Sequence, residues 1–275
     1  MKRLLVNKAV ICGAALVGLI AWRDAQAQAD FPAQQIVDSL VALQPSRGGK
    51  QMMELMRTGT ATNKFDVNRY FAVLNALRPE NGCVLDWVYW RRGGMGGLPV
   101  LYAKRTNEAP YVSFENYVAL STNASFGKTE RELKANDDFF FGYLDKVHAE
   151  DSPQGFFELI VLRLIGDRFH LFWHEWYSET ALVCSRQGWE ALIQKEKQRG
   201  DPYDPPPADF IAAADKLDFF PRIRMGDKQV EINVLTYSPF RGLDLHCFEV
   251  ARPYPHRITK HTQTNLVSHR QGFVF

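Results

Sequence analysis

Three runs rich in strand-forming residues, 222–225, 229–237 and 243–250, follow one another with only Gly226-Asp227 and Arg241-Gly242 marking the turns between them. Connections this short join antiparallel neighbours, because a parallel pair needs a crossover of a dozen residues or more. The last third of the chain is therefore expected to hold a three-stranded antiparallel meander.

Upstream, the same signals recur. Residues 83–90 and 100–104 read as a hairpin around the loop 91–99, which holds four glycines. Residues 156–165 and 169–177 read as a second hairpin around Gly166-Asp167, with 180–184 extending that sheet. Between and before these runs the period changes to that of a helix. Pro32 suits a first helical turn, and Ile36, Val37, Leu40, Val41 and Leu43 form a stripe behind it. A shorter helix is expected over 52–56. A third is expected to start at the N-cap Asp66 and to carry Val67, Tyr70, Phe71, Leu74 and Leu77 until Pro79 and Gly82 stop it. Further helices are expected over 137–147, over 185–199 with Trp189, Leu192 and Ile193 inward, and after Pro207 with Phe210, Ile211, Ala214 and Leu217 inward. From Ala251 onward the chain is polar and expected to be irregular. There is no fixed-period repeat and no regular β-α-β alternation. The expected class is α+β: a helical N-terminal part followed by antiparallel hairpins and a meander, with interspersed helices.

The first 27 residues have a different character. Lys2, Arg3 and Lys8 precede the uncharged apolar run 9–22, and Ala25-Gln26-Ala27 gives the small-x-small pattern of a signal-peptidase site, with an overlapping site ending at Ala29. The apolar run falls short of the roughly 20 residues of a membrane span, and no later segment could cross a bilayer as a helix. The expectation is a signal peptide over 1–27 and a single exported α+β domain over 28–275. For a bacterial source that places it in the periplasm or outside the cell. The Pro-rich stretch 200–207 marks where an internal boundary would fall.

Removing residues 1–27 takes away four basic residues and one acidic residue, leaving 29 basic and 30 acidic. A net charge this close to zero offers no footprint for nucleic acid. Apolar residues at 46% and aromatic residues at 13% describe a packed globule rather than a disordered chain. Cys83, Cys184 and Cys247 follow the signal; an oxidising compartment favours one disulfide and one free thiol among them.

No stretch carries an established catalytic or cofactor motif. His170 and His174 are spaced for zinc only on a helix. On the expected strand they would lie roughly 13 Å apart, too far for joint ligation, so no metal and no cofactor are expected. Cys184 would end a strand just before a helix N-terminus, where the dipole favours a thiolate, and His170, His174 or His246 could supply a base. Against this, a buried cysteine behaves as a small hydrophobe. His246 and Cys247 are strand neighbours that point to opposite faces, so they form no dyad with each other. The loop Arg91-Arg92-Gly93-Gly94-Met95-Gly96-Gly97 lacks the Gly-Lys-Ser/Thr of a phosphate loop, and no helix follows it.

Aromatic strands are the stronger lead: Trp87 and Tyr89 share one face, Trp173 and Tyr177 another, Phe172 and Trp176 a third. Such residues build cores or line ligand pockets. The expected function is that of an exported, non-catalytic protein binding a small ligand or an envelope partner, with Trp87, Tyr89, Trp173 and Trp176 as candidate contacts. The alternative is an envelope hydrolase or thiol enzyme using Cys184 or a histidine of the second hairpin.

Intact-mass measurement of the exported chain is expected to place its N-terminus at Gln28 or Asp30. A mass that retains residues 1–22 would show an uncleaved anchor instead.

Overall fold

A computed structural model describes residues 31–45, 50–60, 63–92, 96–121, 140–199 and 205–269. The signal segment, the triplet Asn123-Ala124-Ser125, the linker residues 200–204 and the C-terminal Phe275 lie outside the described residues.

The described elements are α1 (Ala33–Leu43), α2 (Lys50–Thr58), a 3-10 helix (Val67–Ala72), β1 (Leu77–Pro79), β2 (Cys83–Arg91), β3 (Gly97–Arg105) and α3 (Phe114–Ser121). A 3-10 helix (Gly142–Lys146), β4 (Val147–Ala149), α4 (Pro153–Ile165), a 3-10 helix (Trp173–Ser178), β5 (Ala181–Val183) and α5 (Arg186–Lys197) follow. The chain continues through α6 (Ala208–Ala214), β6 (Arg222–Met225), β7 (Gln229–Ser238), β8 (Gly242–Ala251) and β9 (Ile258–Ser268). All described strand pairs are antiparallel, and the class is α+β as expected.

The main departure is at residues 156–165, which form a helix and not a hairpin strand. Ser152 caps it, its hydroxyl accepting from the Gly155 amide at 3.1 Å, and Pro153 occupies the first turn. Phe156, Phe157, Leu159, Ile160, Val161 and Leu162 of α4 are all fully buried. A helix apolar on every side shows no amphipathic period and reads like a buried strand. Its last carbonyls would be orphaned inside the core without partners. Backbone amides reach two of them, Gly166 donating to Leu162 at 3.0 Å and Arg168 to Ile165 at 3.2 Å, and side chains from other segments add to these: Gln44 donates to the Ile165 carbonyl, Tyr70 to that of Gly166 at 2.8 Å, and Tyr143 to that of Leu162 at 3.2 Å.

The sheets enclose α4 by strict alternation. Val230, Ile232 and Val234 of β7, with Phe248 and Val250 of β8, face it, while Leu235 and Tyr237 turn to a second core with Trp189 and Ile193 of α5 and Phe210 of α6. In β2, Leu85, Trp87 and Tyr89 join the α4 core, whereas Val88 and Trp90 pack with Phe114 and Tyr117 of α3. The main sheet runs β5-β7-β8-β9, with β6 beside β5 on the same edge of β7. The segment 180–184 thus extends the meander.

Three other expectations are corrected. Asp66 is an N-cap, accepting from the Asn68 amide at 3.0 Å, but its helix is one 3-10 run ending at Ala72. Asn68 exchanges hydrogen bonds with the backbone of Leu85 on β2, and Leu77 opens β1, which pairs with β4. The described part of 137–147 is helical only at the start. It tightens to 3-10 at Gly142, and Val147 enters β4. Finally, residues 258–268 form β9, the longest described strand, whose polar character is that of an exposed sheet edge. Among the described residues no helix is long and apolar enough to cross a membrane.

Glu158 is the fully buried polar residue of α4, which also carries the partly buried Gln154 and Arg163. Fully buried, it accepts from the Ala76 amide and from Gln154, both at 2.8 Å. Desolvation raises its carboxyl above the ordinary value, so the folded chain holds this proton more tightly than the unfolded chain. Its ionisation therefore costs stability as pH rises from the unfolded carboxylate range through the raised value. Glu158→Gln is expected to be more stable than the parent at pH 8, with the difference closing toward pH 4, as measured by denaturant unfolding at both pH values.

Candidate functional site

The chain leaving α4 has to turn back over the end of the β2–β3 hairpin, and it does so without the expected strand. Phe169 is buried, edge-on to Phe65 and Trp87. His170 and Trp173 both take left-handed backbone conformations, at φ 50° and 52°. For residues other than glycine each such conformation costs about 1–3 kcal/mol, and such strain clusters at functional sites. Between them, Phe172 makes one bridge to Gly97 of β3, donating at 2.9 Å and accepting at 3.4 Å. The 3-10 turn from Trp173 follows, with the Trp176 indole donating to the Leu171 carbonyl at 2.7 Å.

Gly96 makes the approach of the two segments feasible. At φ 111°, a Cβ there would lie 2.3 Å from the Phe172 carbonyl oxygen. The part of the glycine-rich loop that is described thus serves backbone contact, and its neighbour Arg92 forms a buried ion pair with Glu175.

The structure gathers six of the seven candidate residues around this segment, in different environments. Trp87 and Tyr89 are each only 2% exposed, so they present no platform. The Tyr89 hydroxyl donates to the His170 carbonyl at 3.0 Å, and the Trp87 ring lies 6.0 Å from the His170 ring. His170 is buried with neither ring nitrogen hydrogen-bonded, and desolvation lowers its imidazole below the ordinary value. Trp173 is 51% exposed and stacks on His174, with centroids 5.2 Å apart and planes 10° apart. Tyr177 sits edge-on to His174 and to Phe240 of the β7–β8 turn. Trp176 is partly buried. The strand-based separation of His170 and His174 no longer applies; one imidazole faces the core and the other stacks outside. Among the described residues no group of three or more His, Cys, Asp or Glu is placed to hold a metal.

Cys184, the seventh candidate, stands apart. It lies at the β5–α5 junction as expected, with Ser185 capping α5. Its side chain is 1% exposed, and burial pushes the thiol far up. The dipole argument for a thiolate fails here because desolvation of the charge outweighs it. The Cys184 amide donates to Gln34 at 2.9 Å, which ties the junction to α1 beside an open groove of about 700 Å³ bordered by Asp38, Gln187 and Phe220. No histidine is hydrogen-bonded to the thiol among the described residues. His246 is engaged elsewhere, with Thr236 and with His261, each at 2.9 Å. The expected disulfide does not form: Cys83 of β2, Cys184 at the β5–α5 junction and Cys247 of β8 are all free.

Sequence reasoning missed Gly96, Glu175 and Arg92 as parts of one assembly. The glycine cluster was the available signal, but what a glycine makes room for is set by a segment some 75 residues away.

Alkylation at neutral pH, followed by peptide mass, is expected to label Cys184 slowly in the folded chain and rapidly after denaturation. Fast, selective labelling of the native thiol would show an activated cysteine.

No family model, curated protein or solved structure matches this chain, so the geometry alone carries the functional reading.

Proposed function

We propose that this chain is an exported, non-catalytic binding protein, and that Trp173 with its stacked His174 forms the contact for a small ligand presenting a flat apolar face, such as a sugar ring. The observation that carries the reading is Trp173 itself: a large aromatic side chain, half exposed, held in a strained left-handed conformation. Water gains nothing from an exposed indole, and the backbone gains nothing from the strain, so both call for a compensating role. The surrounding Arg92–Glu175 pair and the bridge to Gly97 hold the segment in place, so a ligand would meet a preorganised surface. Export is part of the proposal and rests on the residues before Gln28.

The thiol-enzyme alternative is less well supported. A nucleophile needs an accessible thiolate and a base within hydrogen-bond reach, and Cys184 is buried with its thiol pushed up.

Trp173 is the most exposed of the described tryptophans, so external quenching of indole fluorescence reports on it. Binding of cell-wall oligosaccharides, titrated by that fluorescence and by calorimetry, is expected to protect it from the quencher. Asparagine tolerates the left-handed region, so Trp173→Asn is expected to raise Tm by about 2–4 °C. Calorimetry is expected to show at least about tenfold weaker binding for that variant. Unchanged calorimetric affinity in Trp173→Asn, or no oligosaccharide binding by the parent, would refute the assignment.

A further inference from the structure

We infer that the turn carrying Trp173 is an acid-opened latch, closed while the buried His170 imidazole is neutral and released when that ring takes up a proton. The latch is a property of the turn; that its opening removes a ligand contact rests on the binding reading above.

The geometry makes His170 the closing element. It is 2% exposed, and its ring lies 5.6 Å from that of Phe169 and 6.0 Å from that of Trp87. Among the described residues neither ring nitrogen has a hydrogen-bond partner. A buried polar group without a partner costs stability, and a buried charge without one costs far more. The charged groups on the elements around it are paired with one another. Lys64 lies over the Trp87 ring, 5.1 Å from its centroid, and pairs with Asp86; Arg92 pairs with Glu175, and Arg168 with Asp167. His174 of the same turn stacks on Trp173. None of these offsets a charge at His170, where desolvation alone lowers the imidazole. Tyr89 of β2 donates to the His170 carbonyl, and burial raises its phenol, so it stays neutral.

The closed turn is held by that Tyr89 bond, by the bridge from Phe172 to Gly97 and by the Arg92–Glu175 pair. Left-handed strain at His170 and Trp173 works against these ties and is relieved on opening. An opened turn returns His170 to water, where an imidazole titrates at about 6.5. The open form therefore takes up the proton at a higher pH than the closed form. Opening is insensitive to pH above that value and grows roughly tenfold for each further unit of acid, until the lowered value of the closed form is passed.

Hydrogen exchange of the ligand-free chain tests this, read as protection factors corrected for the intrinsic effect of pH. The Phe172 amide, which donates to the Gly97 carbonyl, reports on the turn. Between pH 7 and pH 5 its protection is expected to fall by about tenfold or more, while that of β7 and β8 falls by less. His170→Asn suits the left-handed region and carries no titrating ring, so it is expected to abolish the fall. His148→Gln, which removes the β4 histidine stacked on Tyr254, is expected to keep it. An unchanged Phe172 amide overturns the proposal, as does an equal loss across β7 and β8, which would be acid unfolding of the whole chain. A fall that survives in His170→Asn overturns it too. The exchange profile comes from the unaltered chain, so it decides the matter even where that variant folds poorly. With no ligand present, the result stands apart from whether oligosaccharide binds.

Discussion

A helix without a polar face has to be surrounded, and α4 sets that demand for the whole molecule. Its side chains need apolar neighbours in every direction. The meander supplies one wall through alternate residues of β7 and β8, and the β2–β3 hairpin and α1 supply others. At about 25 cal/mol per Å² of apolar surface removed from water, a buried Phe or Leu contributes roughly 1.5–3 kcal/mol. The backbone demand is as strict. The carbonyls at the end of α4 are reached by Gln44, Tyr70 and Tyr143, from segments as much as 121 residues away, so the polar caps also staple the N-terminal helices to the core.

The candidate site follows from the same constraint. Because α4 ends deep in the core, the next residues must reverse direction there, against the glycine end of the hairpin. Left-handed turns at His170 and Trp173 accomplish this, and the strain persists because Phe169, Tyr89, Gly96 and the Arg92–Glu175 pair fix the segment from several sides. The hydrophobic core thus places an exposed indole where a purely local preference would not.

Burial also decides the chemistry of the groups that looked reactive. Cys184 has the right backbone setting for a thiolate but no water to support the charge. Desolvation also lowers the His170 imidazole and raises the Glu158 carboxyl, so His170 holds its proton less tightly and Glu158 more tightly than in water. Helix position alone would have given the opposite sense for Cys184.

The sequence by itself determined the α+β class, the meander with its turn pairs, the β2–β3 hairpin, the stripes of α1 and α5, and the Cys184 junction. α1, α5, β8 and the first half of β7 bury one face, so burial leaves a period in their residues, while the hairpin, buried on both faces, is legible from its strand-forming residues and its glycine turn. Tertiary structure alone decided the rest, and α4 and β9 show why from opposite sides. α4 is buried on every face and β9 is exposed along most of its length, so neither leaves an alternation to read. The strained turns, the Arg92–Glu175 pair and the separation of the cysteines depend on which distant segments meet. That is fixed by how the walls close around α4, and no local pattern encodes it.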